Sequence, residues 1–171
     1  GVVPQEVPES IPGQATVTRD QSPREGFALE DKLRKEYDMG SKDYVSVRDA
    51  YARVVASGKD PSPAGDLALI FNYMKILDPG SVVRESEFAQ AAATGSFGER
   101  IRAAMGRIQL GQRLSQVMRD DFMSRARVLY EQQQTSQTQL ENKYKLLAEQ
   151  YDLDPKRVVI GKKRVGGFHR R

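Results

Sequence analysis

Asp66 to Phe88 reads DLALIFNYMKILDPGSVVRESEF, and the fold class turns on this stretch. Ser62 is placed as an N-cap, Pro63 as the first helical residue, and Asp66 in the first turn, where unpaired N–H groups favour negative charge. Leu67, Ile70, Phe71, Met74 and Leu77 then recur at three- and four-residue steps, which predicts an amphipathic helix with that stripe buried. Pro79 and Gly80 supply the fixed φ and the permissive φ of a type II turn, so the helix is expected to end near Asp78. A second, charged helix is expected from Arg84.

Working outward, the texture stays helical. Leu29, Leu33 and Tyr37 share a face, with Gly40 as a left-handed residue just past the helix end. Tyr44, Val47, Tyr51, Val54 and Val55 form the stripe of a second helix that closes at Gly58. Beyond the Pro-Gly turn, Arg84 to about Thr94 reads as a short helix ending at Gly95. Ser96 with Glu99 then suggests a capping box for a helix burying Ile101, Ala104, Met105 and Ile108. Val158 to Ile160 is a weak strand candidate, and no internal repeat is visible. The expectation is an all-α chain of five or six helices, including one long C-terminal helix. A Pro-rich arm (Pro4, Pro8, Pro12, Pro23) spans residues 1–26, a helical domain 27–155, and a basic tail 156–171.

From about Ser115 to Tyr151 neither Gly nor Pro interrupts the chain, which predicts a rod of roughly 55 Å. Its stripe runs Met118, Phe122, Ala126 and Leu129, then resumes at Leu140, Tyr144, Leu147 and Tyr151. Between the halves lies EQQQTSQTQ, Glu131 to Gln139, with no apolar residue. Burial in a dry core is not expected of such a stretch. Two readings stand: an exposed helical hairpin tip, or a hydrated channel wall built from several copies. In the second, Gln132, Gln133, Gln134, Gln137 and Gln139 offer neutral amides to passing DNA.

Composition narrows the chemistry. The 171 residues are 39% hydrophobic and 29% charged, which suits one modest domain with tails. Cysteine is absent and His169 is the single histidine, so thiolate or His-cluster metal sites and Ser-His or Cys-His nucleophiles are not expected. Asp120-Asp121 and Asp152-x-Asp154 lack a calcium loop, and Gly161-Lys162-Lys163 lacks the spacing of a phosphate loop; no metal or cofactor is expected. Asp152-Leu-Asp-Pro155 is expected to end the long helix, because Pro155 keeps Asp154 out of the α region. No run approaches the roughly 18 apolar residues of a membrane span and no signal pattern opens the chain. That reads as a protein neither secreted by the usual route nor permanently inserted, and Gly1 as the start of a processed product or of a piece of something longer.

The net charge of +4 hides an asymmetry. Lys156, Arg157, Lys162, Lys163, Arg164, Arg170 and Arg171 are seven cations without an acid, so removing them from +4 leaves −3 for the rest of the chain. This tail reads either as a solubilising terminus or as a non-specific phosphate contact through Lys162, Lys163, Arg164, Arg170 and Arg171. No motif that reads bases is present.

LALIFNYMKILDPGSVVRESEF, followed by ERIRAAMGRIQLGQRLSQVMRDDF, resembles a segment of tailed-bacteriophage internal virion proteins, the DNA-ejection proteins. It also occurs in long virion proteins that carry a lytic transglycosylase domain. The resemblance covers about Asp43 to Pro155. It implies a non-enzymatic structural protein of the virion, and of the host cell envelope on infection, that forms homo-oligomers and assists genome delivery. Implied partners are other virion proteins (portal, tail or other ejection proteins), DNA, and the host envelope. Leu67, Ile70, Phe71, Met74, Leu77, Phe122, Leu129, Leu140, Tyr144 and Leu147 are then expected to pack between copies. Two rivals remain. Glu85-Ser86 superficially resembles the glutamate-serine motif of lytic transglycosylases, with Glu85 as general acid, but the apolar helix stops short of it and Arg84, Glu87 and Arg100 crowd the surroundings with charge. Pairing of Arg84, Glu85 and Glu87 with neighbours is the plainer reading. A scaffolding or packaging protein that holds DNA through its tail is the other rival.

Overall fold

The computed structural model describes residues 1–2, 22–82, 84–95 and 97–165, and of residue 85 the backbone. Among these residues the chain is all-helical, with seven helices. They are α1 (Pro23–Gly40), α2 (Lys42–Gly58), α3 (Pro63–Leu77), α4 (Glu85–Ala93), α5 (Glu99–Gln109), α6 (Gln116–Gln150) and α7 (Pro155–Val158). The last is one short turn inside the expected basic tail, and the weak strand signal at Val158 to Ile160 yields no strand. Most of the expected arm lies outside the described residues, and its last part is helical. Ser22 caps α1, accepting from the Glu25 N–H at 3.4 Å while the Glu25 carboxylate accepts from the Ser22 N–H at 3.1 Å. This reciprocal capping box, with Pro23 in the first turn, starts the helix before Phe27.

The helices enclose two apolar clusters along α6. The larger joins α2, α3, α4, α5 and the first half of α6, with Val54, Leu69, Ile70, Ala104 and Phe122 at its centre. The smaller joins α1, α7 and the second half of α6 through Leu33, Tyr37, Tyr144, Ala148, Val158 and Val159. At 1.5 Å per residue the 35-residue α6 is about 52 Å long, so one rod serves both clusters. Ile70, Met74, Phe122 and Tyr144 are thus buried within the single chain, and Phe71, Leu129, Leu140 and Leu147 are partly covered by it. The expectation that these faces wait for a sister molecule is corrected: this polypeptide covers most of its own stripe.

The phase of α3 is also corrected. Leu67 and Leu77 are 37% and 40% exposed, whereas Asp66, Leu69, Ile70, Asn72, Tyr73, Met74 and Ile76 are buried. The reason is that α3 packs against α2, α5 and α6 at once, so most of its circumference is inside and polarity no longer marks one face. The Asp78–Ser81 turn is closed by the Ser81 N–H donating to the Asp78 carbonyl at 3.1 Å, but Gly80 does not adopt the positive φ of a type II turn.

Three further expectations about helix ends change. Gly40 remains helical, and only Ser41 separates α1 from α2. Its use is steric: a Cβ there would lie 3.0 Å from Leu140 Cδ2. Helix α5 starts with Gly98 at the N-cap, φ +97, and no side-chain cap; Ser96 lies outside the described residues. Helix α6 ends two residues before Asp152, which takes φ +54. Leu153 N–H donates to the Ala148 carbonyl and Asp152 N–H to Glu149, the paired bonds of a left-handed helix end. Asp154 and Pro155, expected to stop α6, instead cap and start α7.

Candidate functional site: a tyrosine-lined groove and a buried ion cluster

Position 137 interrupts the apolar stripe of α6, yet Tyr130, Gln137 and Tyr144 follow at seven-residue steps on one helix face. Gln137 is 5% exposed. Its Nε2 donates to the Tyr37 hydroxyl at 3.1 Å and to Ser41 Oγ at 3.0 Å, while Ser41 Oγ donates to the Tyr37 carbonyl at 2.8 Å. This polar layer lies where α1 gives way to α2, between the two apolar clusters. The channel assignment of Gln137 is therefore corrected: it is buried, and a buried amide is tolerated because its donors are matched. Gln134 also serves the interior, donating to the Tyr130 hydroxyl at 2.8 Å, and Gln133 is half-buried. Gln132 and Gln139 are exposed.

The residues after α7 cross this layer. The segment 159–165, here the strap, runs back along α6 and is held mainly through its own backbone. Tyr37 OH donates to the Ile160 carbonyl at 3.2 Å, Tyr44 OH and Arg48 to the Lys163 carbonyl at 3.4 and 3.3 Å, and Val165 N–H to Tyr130 OH at 2.9 Å. Tyr130 in turn stacks between Tyr51, 4.6 Å away between ring centroids, and Tyr44, 6.2 Å away. Burial first, then the negative charge of Glu141, raises the Tyr37 pKa; burial and the neighbouring Tyr130 raise that of Tyr44. Both therefore stay protonated hydroxyl donors over the ordinary pH range.

The expected cationic tail is thus partly consumed inside the fold. Lys162 lies 2.7 Å from Asp38 and above the Tyr37 ring, and Arg157 reaches Glu30 at 3.3 Å. Lys162 is corrected from a phosphate contact to an internal ion pair. Lys163 and Arg164 remain exposed, the latter touching Thr138 Oγ1 at 3.4 Å. Arg170 and Arg171 lie outside the described residues.

A second polar centre was not expected. Asp66 is 1% exposed and gathers three donors: Arg113 Nε at 2.9 Å, Leu114 N–H at 3.0 Å, and Arg119 at 2.9 Å as an ion pair without hydrogen-bond alignment. It ties the start of α3 to the α5–α6 loop and to α6. The first-turn position of Asp66 was legible, but nothing local pointed to two arginines 47 and 53 residues further on.

Among the described residues no cluster of His, Cys, Asp and Glu could hold a metal ion, and no helix is long and apolar enough to cross a membrane. The Glu85 side chain lies outside the described residues. Arg100 pairs with Asp121 at 2.7 Å, and no ion pair of Arg84 or Glu87 occurs among the described residues. No family model, no curated protein and no solved structure matches the chain.

Proposed function

We propose that this protein is a structural component of a tailed-phage particle, built to associate with copies of itself and to assist passage of the genome across the host envelope. One observation carries the assembly part. Val117, Val128 and Leu146 are 78%, 53% and 55% exposed, and at 100° per residue they fall within about 20° of one line along α6. That line spans about 43 Å of helix. Exposed Leu77 flanks it across a cleft lined by Tyr73, Asp121, Val128 and Leu129, and Gln132 and Gln139 lie beside it. Such a row suits side-by-side packing of long helices, with neutral amides at the seam. The resemblance of Asp66 to Phe88 to ejection proteins supplies the place of work.

Labelling of purified particles tests the reading. After the particles are disrupted and blotted, antibody to the protein is expected to mark filled virions and to lose its target in particles from which the genome has left. Absence from filled particles overturns it. Sedimentation tests the assembly part: wild type associates as concentration rises, and Val117→Asp with Val128→Asp and Leu146→Asp stays a single chain of unchanged helicity. Exposed Lys163 and Arg164 favour a second reading, non-specific contact with DNA, which requires binding that weakens steeply with salt and with loss of both charges.

A further inference from the structure

Helix α7 and the strap form one clip, Pro155–Val165, whose bonds to the groove run largely through main-chain atoms of residues 160, 163 and 165. We propose that this clip exchanges between molecules, so that the tyrosine-lined groove of one copy receives the clip of a second copy of this chain. A groove that binds backbone atoms meets the same atoms on every copy and cannot tell its own clip from a neighbour's. The contacts at Glu30, Asp38, Tyr37, Tyr44 and Tyr130 would be re-formed unchanged, as exchange of an identical element requires.

The connection favours opening. Only Tyr151 to Asp154 join α6 to α7, and within them Asp152 takes φ +54, a conformation that a side chain disfavours. Short hinge loops under strain invite exchange, because release lets the backbone relax. Fully extended, four residues reach about 14 Å, more than the roughly 10 Å width of a helix. An opened clip therefore reaches a copy lying alongside α6. An unseated clip is also costly: Val158 and Val159 leave the smaller cluster, and Val165 leaves the larger. A second copy's groove covers all three again.

The proposal deepens the assembly reading and rests on copies lying side by side, but its test uses purified protein and fails separately from the particle labelling. The chain has no cysteine, so Thr138→Cys and Arg164→Cys place thiols only where these two side chains meet, leaving the main-chain bonds of the strap intact. In dilute solution the double variant, treated with a short bismaleimide, is expected to close on itself. The two single variants, mixed at high concentration and then cross-linked, are expected to give dimers of unlike chains at several times the yield of like chains. Asp152→Gly, which removes the left-handed penalty, lowers that yield several-fold. Unlike dimers no more abundant than like ones, beside a double variant that closes internally, overturn the proposal. A double variant that fails to close overturns it as well, since the strap then does not sit in the groove.

Discussion

The Gln137 side-chain amide donates to the Tyr37 hydroxyl at 3.1 Å across a gap of 100 residues in sequence, and the junction of α1 and α2 is built around that bond. Gln137→Ala is expected to lower stability by about 1–3 kcal/mol, because Tyr37 and Ser41 lose a buried donor. Gln132→Ala and Gln139→Ala, both exposed, are expected to change it by less than about 0.5 kcal/mol. Urea midpoints of the three variants check the contrast.

Asp66 and Arg119 have side chains only 1% and 7% exposed, so removing one partner strands a charge. Either Asp66→Ala or Arg119→Ala is expected to cost about 3–5 kcal/mol, and Asp66→Leu with Arg119→Met to recover much of it. Arg113→Ala costs less, since the Arg113 side chain is 42% exposed and water replaces it. A double-mutant cycle by chemical unfolding decides whether the pair is coupled.

Gly65 has no room for a side chain: a Cβ there would lie 2.2 Å from the Asp60 carbonyl oxygen. Gly65→Ala therefore displaces backbone and is expected to destabilise by about 1–3 kcal/mol. Gly106, helical in α5 with open space around its Cβ position, should respond oppositely, gaining about 0.5–1 kcal/mol as Ala. Thermal melts of the two variants should move in opposite directions.

Alkali is expected to unfold this protein. Burial is the first cause raising the pKa of Tyr37, Tyr44, Tyr51, Tyr73 and Tyr144 above the ordinary value of 10.0. The unfolded chain then loses these protons first, so their contribution is intact below pH 10 and falls as pH climbs through the raised values. Helical circular dichroism in fixed urea, followed from pH 8 to 11.5, should be flat and then drop. A flat profile throughout would mean that these rings are solvated.

Much of the helix order was legible because α2 and the start of α3 obey local rules: Ser62 caps α3 through the Gly65 N–H at 2.9 Å, and Tyr44, Val47, Tyr51 and Val54 are all buried as their spacing implied. Failures arose where a residue's partner is distant. Leu67 and Leu77 look like core on hydrophobicity alone, and only the packing of α3 against three other helices shows otherwise. Gln137 and Asp66 look like surface until Tyr37 and Arg119 are brought to them. The clip was hidden because its sequence is basic and short, many of its bonds run through main-chain atoms, and its ionic partners Glu30 and Asp38 lie far back in the sequence.

Because α6 threads two separate cores joined through a hydrogen-bonded layer, the molecule has a built-in order of loosening. Amide exchange should sort the backbone accordingly: α1, α7 and the far third of α6 open together first, while α2 and α3 stay closed the longest. A protein that yields in such halves keeps one core standing as the seed on which the other re-forms.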